Sequence, residues 1–193
     1  MGKFKFTELD VEGMFLIEPT KFGDDRGYFM ETYHAGEFKA AGIDVDFVQD
    51  NQSKSKKGVL RGLHFQTANP QGKLVRVISG EVFDVGVDLR PDSPTFGKWA
   101  GAVLSAENCN QLYIPEGFAH GFVVLSDSAE FCYKCTRLYD PTGEGGIIWN
   151  DPDIAIDWHL PEGFEPLLSE KDKLQQTFRE YCEKNHIYKK YDL

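Results

Sequence analysis

The sequence predicts an all-β protein: a double-sheet jelly roll with short helical segments near its N- and C-terminal ends. Three observations carry that reading. Stretches of about five to nine residues, the usual strand length, follow one another from Gly27 to Trp149. Turn residues separate them, as in ANPQG, RPDSPTFG and DPTGEGG, because Gly, Pro, Asn and Asp readily adopt the dihedrals of tight turns. Apart from a turn or two at AGEFKAAG, no segment of helical period stands between the strands, which argues against a parallel sheet wound with helices. A closed or double-sheet form limits the open edges that so many short strands would leave.

In chain order, GYFMETY (27–33) and FVQDNQ (47–52) open the series, with AGEFKAAG (35–42) between them as a turn or two of helix. VLRGLHF (59–65) and KLVRVI (73–78) follow. EVFDVGVDL (81–89) alternates cleanly: Phe83, Val85, Val87 and Leu89 share one face, and Asp84, Gly86 and Asp88 the other. KWAGAVLS (98–105), QLYIP (111–115), HGFVVLS (120–126), EFCYKCTRLY (130–139) and GGIIW (145–149) complete the strands. SEKDKLQQTFREYCEKN (169–185) reads as helix, with Ser169 as N-cap, Asp172 three residues on, and Leu174, Phe178 and Tyr181 as an apolar stripe. The whole, 1–193, reads as one domain, with residues 173–193 forming a C-terminal helix and tail.

Composition narrows the function. With 193 residues, 41% of them hydrophobic and 15 of them Phe, the chain can bury a real core. It has no apolar run of membrane-spanning length, and MGKFKFTELD lacks the apolar segment of a secretory signal, so a cytoplasmic protein without a membrane partner is expected. A net charge of −10 argues against nucleic acid as a partner but leaves room for a small anionic ligand held by a few convergent cations. CYKC (132–135) has a redox or zinc spacing, yet strand alternation sends Cys132 and Cys135 to opposite faces, and both read as buried thiols.

The stretch GVLRGLHFQ (58–66) raises the chemical question. By alternation Leu60, Gly62, His64 and Gln66 share one face, and Arg61, Leu63 and Phe65 the other. His64 is a candidate acid or base. It can share a site with Arg61 only if the strand bends or bulges, and Gly62 is the residue that would permit it. Metal binding is the natural rival for a jelly-roll histidine, but HFQ places Gln66 where a second histidine ligand would stand, and Gln is a poor ligand for zinc or iron. Lys73 opens a strand after a turn and could stabilise an anion if it turns inward. Tyr133 shares a face with Phe131 and Cys135. Arg26 and Glu144 lie in turn-rich surroundings, and no glycine-rich loop matches a dinucleotide or Walker pattern.

Together these motifs resemble the dTDP-4-dehydrorhamnose 3,5-epimerase family: FGDDRGYFMETY, FVQDNQSKSKKGVLRGLHFQ, QGKLVRVISGEVFDVGVDLR, SPTFGKW, LYIPEGFAHGF, GGIIWNDP and LSEKD. The likeness runs from Phe15 to Asp172. It implies a metal-free cupin-type jelly roll, without cofactor, that forms a homodimer and acts on a dTDP-sugar. It also implies roles: His64 as general base, Tyr133 as general acid, Asp172 as the carboxylate paired with the histidine, and Lys73 as the cation beside the substrate ketone. Arg26, Glu31, Gln49, Asn51, Arg61, His120, Glu144 and Lys171 match ligand-contacting positions.

The chemistry suits those residue types. A ketone at carbon 4 acidifies the hydrogens on carbons 3 and 5, so both centres can invert through an enolate. Imidazole is a base of suitable strength, a carboxylate can fix its tautomer, and a cation in a dry cavity can hold the enolate oxygen. A single-centre epimerase or a ketoisomerase on a related nucleotide sugar is the nearest alternative.

Overall fold

The computed structural model describes residues 2–187. Two antiparallel sheets face each other. The first is built from β1 (Phe4–Glu8), β2 (Phe15–Pro19), β5 (Gln49–Lys56), β7 (Lys73–Ser79), β10 (Gln111–Ile114) and β12 (Ser128–Cys135), in the order β1-β2-β10-β7-β12-β5. The second holds β6 (Leu60–Gln66), β8 (Glu81–Asp88), β9 (Trp99–Ser105), β11 (Phe118–Val124) and β13 (Glu144–Gly146), in the order β13-β6-β11-β8-β9. Neighbouring strands are mostly non-consecutive in the chain, the mark of a jelly roll rather than a meander.

Three apolar layers hold the sheets. Between them, Val75, Leu112, Ile114 and Phe131 meet Val82, Phe118, Phe122 and Val124, and the Phe122 and Phe131 rings stack 4.2 Å apart. Outside the second sheet, Leu60, Leu63, Phe83, Val85 and Val87 are covered by Ile154, Trp158, Phe178 and Cys182 of the C-terminal segment. Outside the first, Ile17, Leu74 and Tyr113 are covered by Phe38 and Ile43. Each fully buried large apolar side chain stabilises by roughly 1.5–3 kcal/mol. The alternation of β8 is as expected, but its apolar face meets the C-terminal segment, and Asp84, Gly86 and Asp88 point between the sheets. That places polar chemistry inside the barrel.

Several expected elements differ. GYFMETY shortens to β4 (Gly27–Phe29), which pairs only with β3 (Phe22–Asp24) as an exposed hairpin. The strands β1 and β2 were not anticipated, since FKFTE and FLIEP lie outside the run of turn-bounded strands. AGEFKAAG forms α1 (Ala35–Ala40). The C-terminal helix is two pieces, α2 (Glu170–Lys173) and α3 (Phe178–Lys184). Ile147 bridges to Gln176 in extended form, and Thr177 starts α3 with a full capping box to Glu180. Leu174 therefore leaves the apolar stripe and is 84% exposed. Cys135 is buried as expected, but Cys132 is only half-buried, in a depression of about 380 Å³ that Arg76 and Lys134 also line. The tail beyond Ile187 lies outside the described residues.

Candidate active site

A β-bulge decides the geometry of β6. His120 of β11 pairs with His64, and Phe122 with Arg61. An interval of two residues on β11 is thus matched by three on β6. The extra residue turns Arg61 and His64 to the same face, the one between the sheets, while Leu60, Leu63 and Phe65 pack outside. Strict alternation, which opposes Arg61 to His64, fails at this point. Gly62 makes the bulge possible: its φ is +124°, and a Cβ there would meet Gly121 Cα at 2.5 Å and His120 O at 2.7 Å.

The bulge also serves Asp172, which accepts a hydrogen bond from the Gly62 backbone N–H. His64 Nε2–H donates to Asp172 Oδ1 at 2.5 Å. Ser169, the N-cap of α2, accepts from the Asp172 N–H at 3.1 Å and donates its hydroxyl to Asp172 Oδ2 at 2.6 Å. Burial disfavours the carboxylate, but the bonds from His64 and Ser169 outweigh it and hold Asp172 below the ordinary carboxylate range. His64 is left with Nδ1 as its basic nitrogen.

A second chain of polar groups runs into the barrel. Lys73, at the head of β7, lies with its ammonium 5.8 Å from the centre of the Tyr133 ring. It donates to His120 Nδ1 at 3.4 Å, and His120 Nε2–H donates to Asp84 at 3.0 and 3.2 Å. Burial pushes Lys73 down, against the pull of Cys135, Asp84 and Glu144. Burial likewise pushes the Tyr133 hydroxyl up, Cys135 adding to it and Arg61 opposing, so the phenol stays protonated at neutral pH. His64, Lys73, Tyr133 and Glu144 line one cleft of about 110 Å³, with Phe118 and Tyr139 in its walls.

The chain is similar to several proteins of one family. The family model described as dTDP-4-dehydrorhamnose 3,5-epimerase matches residues 8–180. A relative of that name from Methanothermobacter thermautotrophicus is 54% identical over 180 residues, 93% of this chain and 97% of its own. The chain belongs to the dTDP-4-dehydrorhamnose 3,5-epimerase family. The crystal structure of the Legionella pneumophila 3,5-epimerase in complex with dTDP-4-keto-L-rhamnose superposes with a TM-score of 0.86 at 50% identity, covering 90% of this chain and 92% of that one. A 3'-monoepimerase from Streptomyces bikiniensis, in complex with dTDP-quinovose, superposes with a TM-score of 0.83 at 34% identity, covering 93% and 90%.

In this epimerase the remaining expected residues fall into five placements. Lys171 forms an ion pair with Glu144 at the cleft, which holds the Glu144 carboxyl below its usual range. Gln49 and Asn51 of β5 bond to each other at 3.0 Å, and Gln49 Oε1 accepts the Tyr139 N–H at 2.9 Å, fixing a wall of the cleft. Arg61 bonds Ser55 Oγ through Nε and Nη2 at 3.2 and 3.1 Å. Arg26 and Glu31 are not brought in: Arg26 pairs with Asp24 on the exposed hairpin, and Glu31 with Lys3. Both ring nitrogens of His120 are engaged inside the protein, Nδ1 by Lys73 and Nε2 by Asp84.

The Gln66 amide is also engaged, donating to the Asp140 carbonyl at 3.0 Å and accepting its N–H at 3.1 Å. Among the described residues no three His, Cys, Asp or Glu side chains gather as metal ligands. Asp84, Ser169 and Tyr139 were missed as parts of the site. Ser169 left a signal as the N-cap three residues before Asp172, Asp84 as a polar residue in an alternating strand, and Tyr139 as an aromatic residue at a strand end beside a turn.

Proposed function

We propose that this epimerase inverts carbons 3 and 5 of dTDP-4-dehydro-6-deoxy-D-glucose, giving dTDP-4-dehydro-L-rhamnose, with His64 as base and Tyr133 as acid. One observation supports the assignment above others: an imidazole, a protonated phenol and an ammonium line a single small cleft. His64 Nδ1 takes the proton from carbon 3 or 5. The electron pair moves onto the carbon 4 oxygen, where the Lys73 ammonium stabilises the enolate. Tyr133 delivers a proton to the opposite face, and solvent exchange restores both groups. Asp172 keeps the imidazole in the right tautomer and offsets the charge it gains.

Arg61 holds the diphosphate, as a guanidinium suits phosphate oxygens. Gln49, Asn51, Glu144 and Lys171 shape the nucleotide and sugar contacts at the rim. The chain works as a homodimer, supported by a hairpin whose Phe22, Tyr28 and Phe29 are 53, 60 and 65% exposed. Arg26 and Glu31 lie off the cleft of their own chain, so their ligand contacts are made in the partner's cleft. Four free cysteines suit a reducing, cytoplasmic setting, and no helix among the described residues is long and apolar enough to cross a membrane.

The test is incubation with dTDP-4-dehydro-6-deoxyglucose in deuterated water. Deuterium at carbons 3 and 5 with inversion at both is expected. Label and inversion at one centre would make the chain a single-centre epimerase, as the 3'-monoepimerase is by name, and no label would refute the proton-transfer reading.

A further inference from the structure

We propose that Asp84 is a positioning residue for this reaction: acting through the His120 imidazole, it aims the Lys73 ammonium at the forming enolate oxygen and balances its charge. The inference rests on the role given to Lys73 above.

Asp84 has no exposed surface. Its position in β8 points it between the sheets, among apolar side chains such as Phe122 and Phe131. An unpaired carboxylate is costly there. Asp88, on the same face of the same strand, shows what a structural carboxylate looks like. It is bonded by Arg90, Ser93 and Thr95 and anchors the loop after β8. Asp84 instead directs both oxygens at one ring nitrogen, His120 Nε2.

That contact selects a tautomer. With Nε2–H donating to the Asp84 carboxylate, Nδ1 carries a lone pair and accepts from Lys73. The opposite tautomer would set an Nδ1–H against an ammonium hydrogen, donor against donor. The result is an ammonium and a carboxylate separated by a neutral ring, so two buried charges offset one another. The Lys73 head group is thereby held from behind, leaving its remaining N–H bonds for the cleft. The other groups around it are Cys135 and Tyr133 from β12 and Glu144 from β13. Only Asp84 is both fully buried and joined to it by a defined chain of bonds.

Asp84→Asn is the informative variant, because its amide oxygen can still accept the His120 Nε2–H while the charge is lost. Without the carboxylate, the Lys73 ammonium is less favoured and deprotonates at lower pH. The expected result is kcat/KM about threefold below the parent near pH 6.5 and about thirtyfold below it near pH 9, with dTDP affinity unchanged. A profile scaled down equally at all pH values would make Asp84 merely structural and overturn the inference. Nitrogen-15 NMR of the unmodified protein gives a readout free of folding effects: His120 should be the neutral Nε2–H tautomer near pH 7. An Nδ1–H tautomer or an imidazolium would overturn the inference too. If the parent enzyme does not epimerise the 4-keto sugar at all, the functional proposal fails instead, and the NMR result still decides the Asp84 chain.

Discussion

His64 and Asp172 stand 108 residues apart in the chain and 2.5 Å apart in space, joined Nε2–H to Oδ1. The contact depends on α2, a single turn whose N-cap Ser169 fixes the Asp172 carboxyl from the other side. Asp172→Asn should lower kcat about 10²-fold or more, because the imidazole loses the partner that sets its tautomer. Stability should fall by about 1.5–3 kcal/mol at neutral pH. The Asp172 carboxyl sits below its ordinary 3.8 when folded. Its contribution is therefore complete above the unfolded carboxylate range and is lost as pH falls through the folded value. Denaturant unfolding of both proteins should show the gap narrowing in acid as pH falls below that ordinary 3.8.

Exchange and inversion should separate between His64 and Tyr133. His64→Asn cannot take the proton, so deuterium uptake and inversion collapse together. Tyr133→Phe keeps the base, so some deuterium should still enter at carbon 3 or 5 while net inversion at carbon 5 falls much further. NMR of the recovered sugar reads isotope and configuration independently. Normal inversion at carbon 5 in Tyr133→Phe would assign the acid to another group.

Arg61→Ala should weaken dTDP binding by about 1.5–3 kcal/mol, the usual loss for a charge-assisted contact, and Arg61→Lys should restore only part of it. Ser55 loses its donor as well, so a melting curve is needed alongside the calorimetry. An unchanged dTDP affinity in the alanine variant would remove Arg61 from the site.

Gly62→Ala should be among the most damaging small substitutions in the barrel. Its added methyl meets backbone atoms of β11 at 2.5 and 2.7 Å and sits at a φ of +124°. A destabilisation of about 2–4 kcal/mol is expected, with activity lost beyond what unfolding explains, because the bulge aligns Arg61 with His64. A folded variant with the parent's turnover would show that the alignment is dispensable.

Dialysis against a strong chelator should leave turnover intact. Gln66, at the position where a metal cupin would offer a ligand, has both ends of its amide bonded to the Asp140 backbone. Loss of activity restored by zinc, iron or manganese would show that a metal takes part.

The strand rhythm, the two faces of β8 and the residue types suited to enolate chemistry were legible from the sequence, because alternation and turn preference are local properties. The motifs around His64, Lys73, Tyr133 and Asp172 pointed to the cleft through the family they resemble, not through alternation. Tertiary structure alone decided the rest. Register is set between strands, so the bulge that turns Arg61 and His64 to one face is specified by β11 as much as by β6. The inward Asp84 reads as an ordinary polar position until the pairing of β8 with β11 brings the His120 ring to its carboxylate and the barrel closes over both. The break between α2 and α3 likewise follows from the Ile147–Gln176 bridge, a contact no helical period records. Local pattern determined which face each strand presents; burial and cross-strand pairing determined which of those side chains could meet and what charge they could hold there.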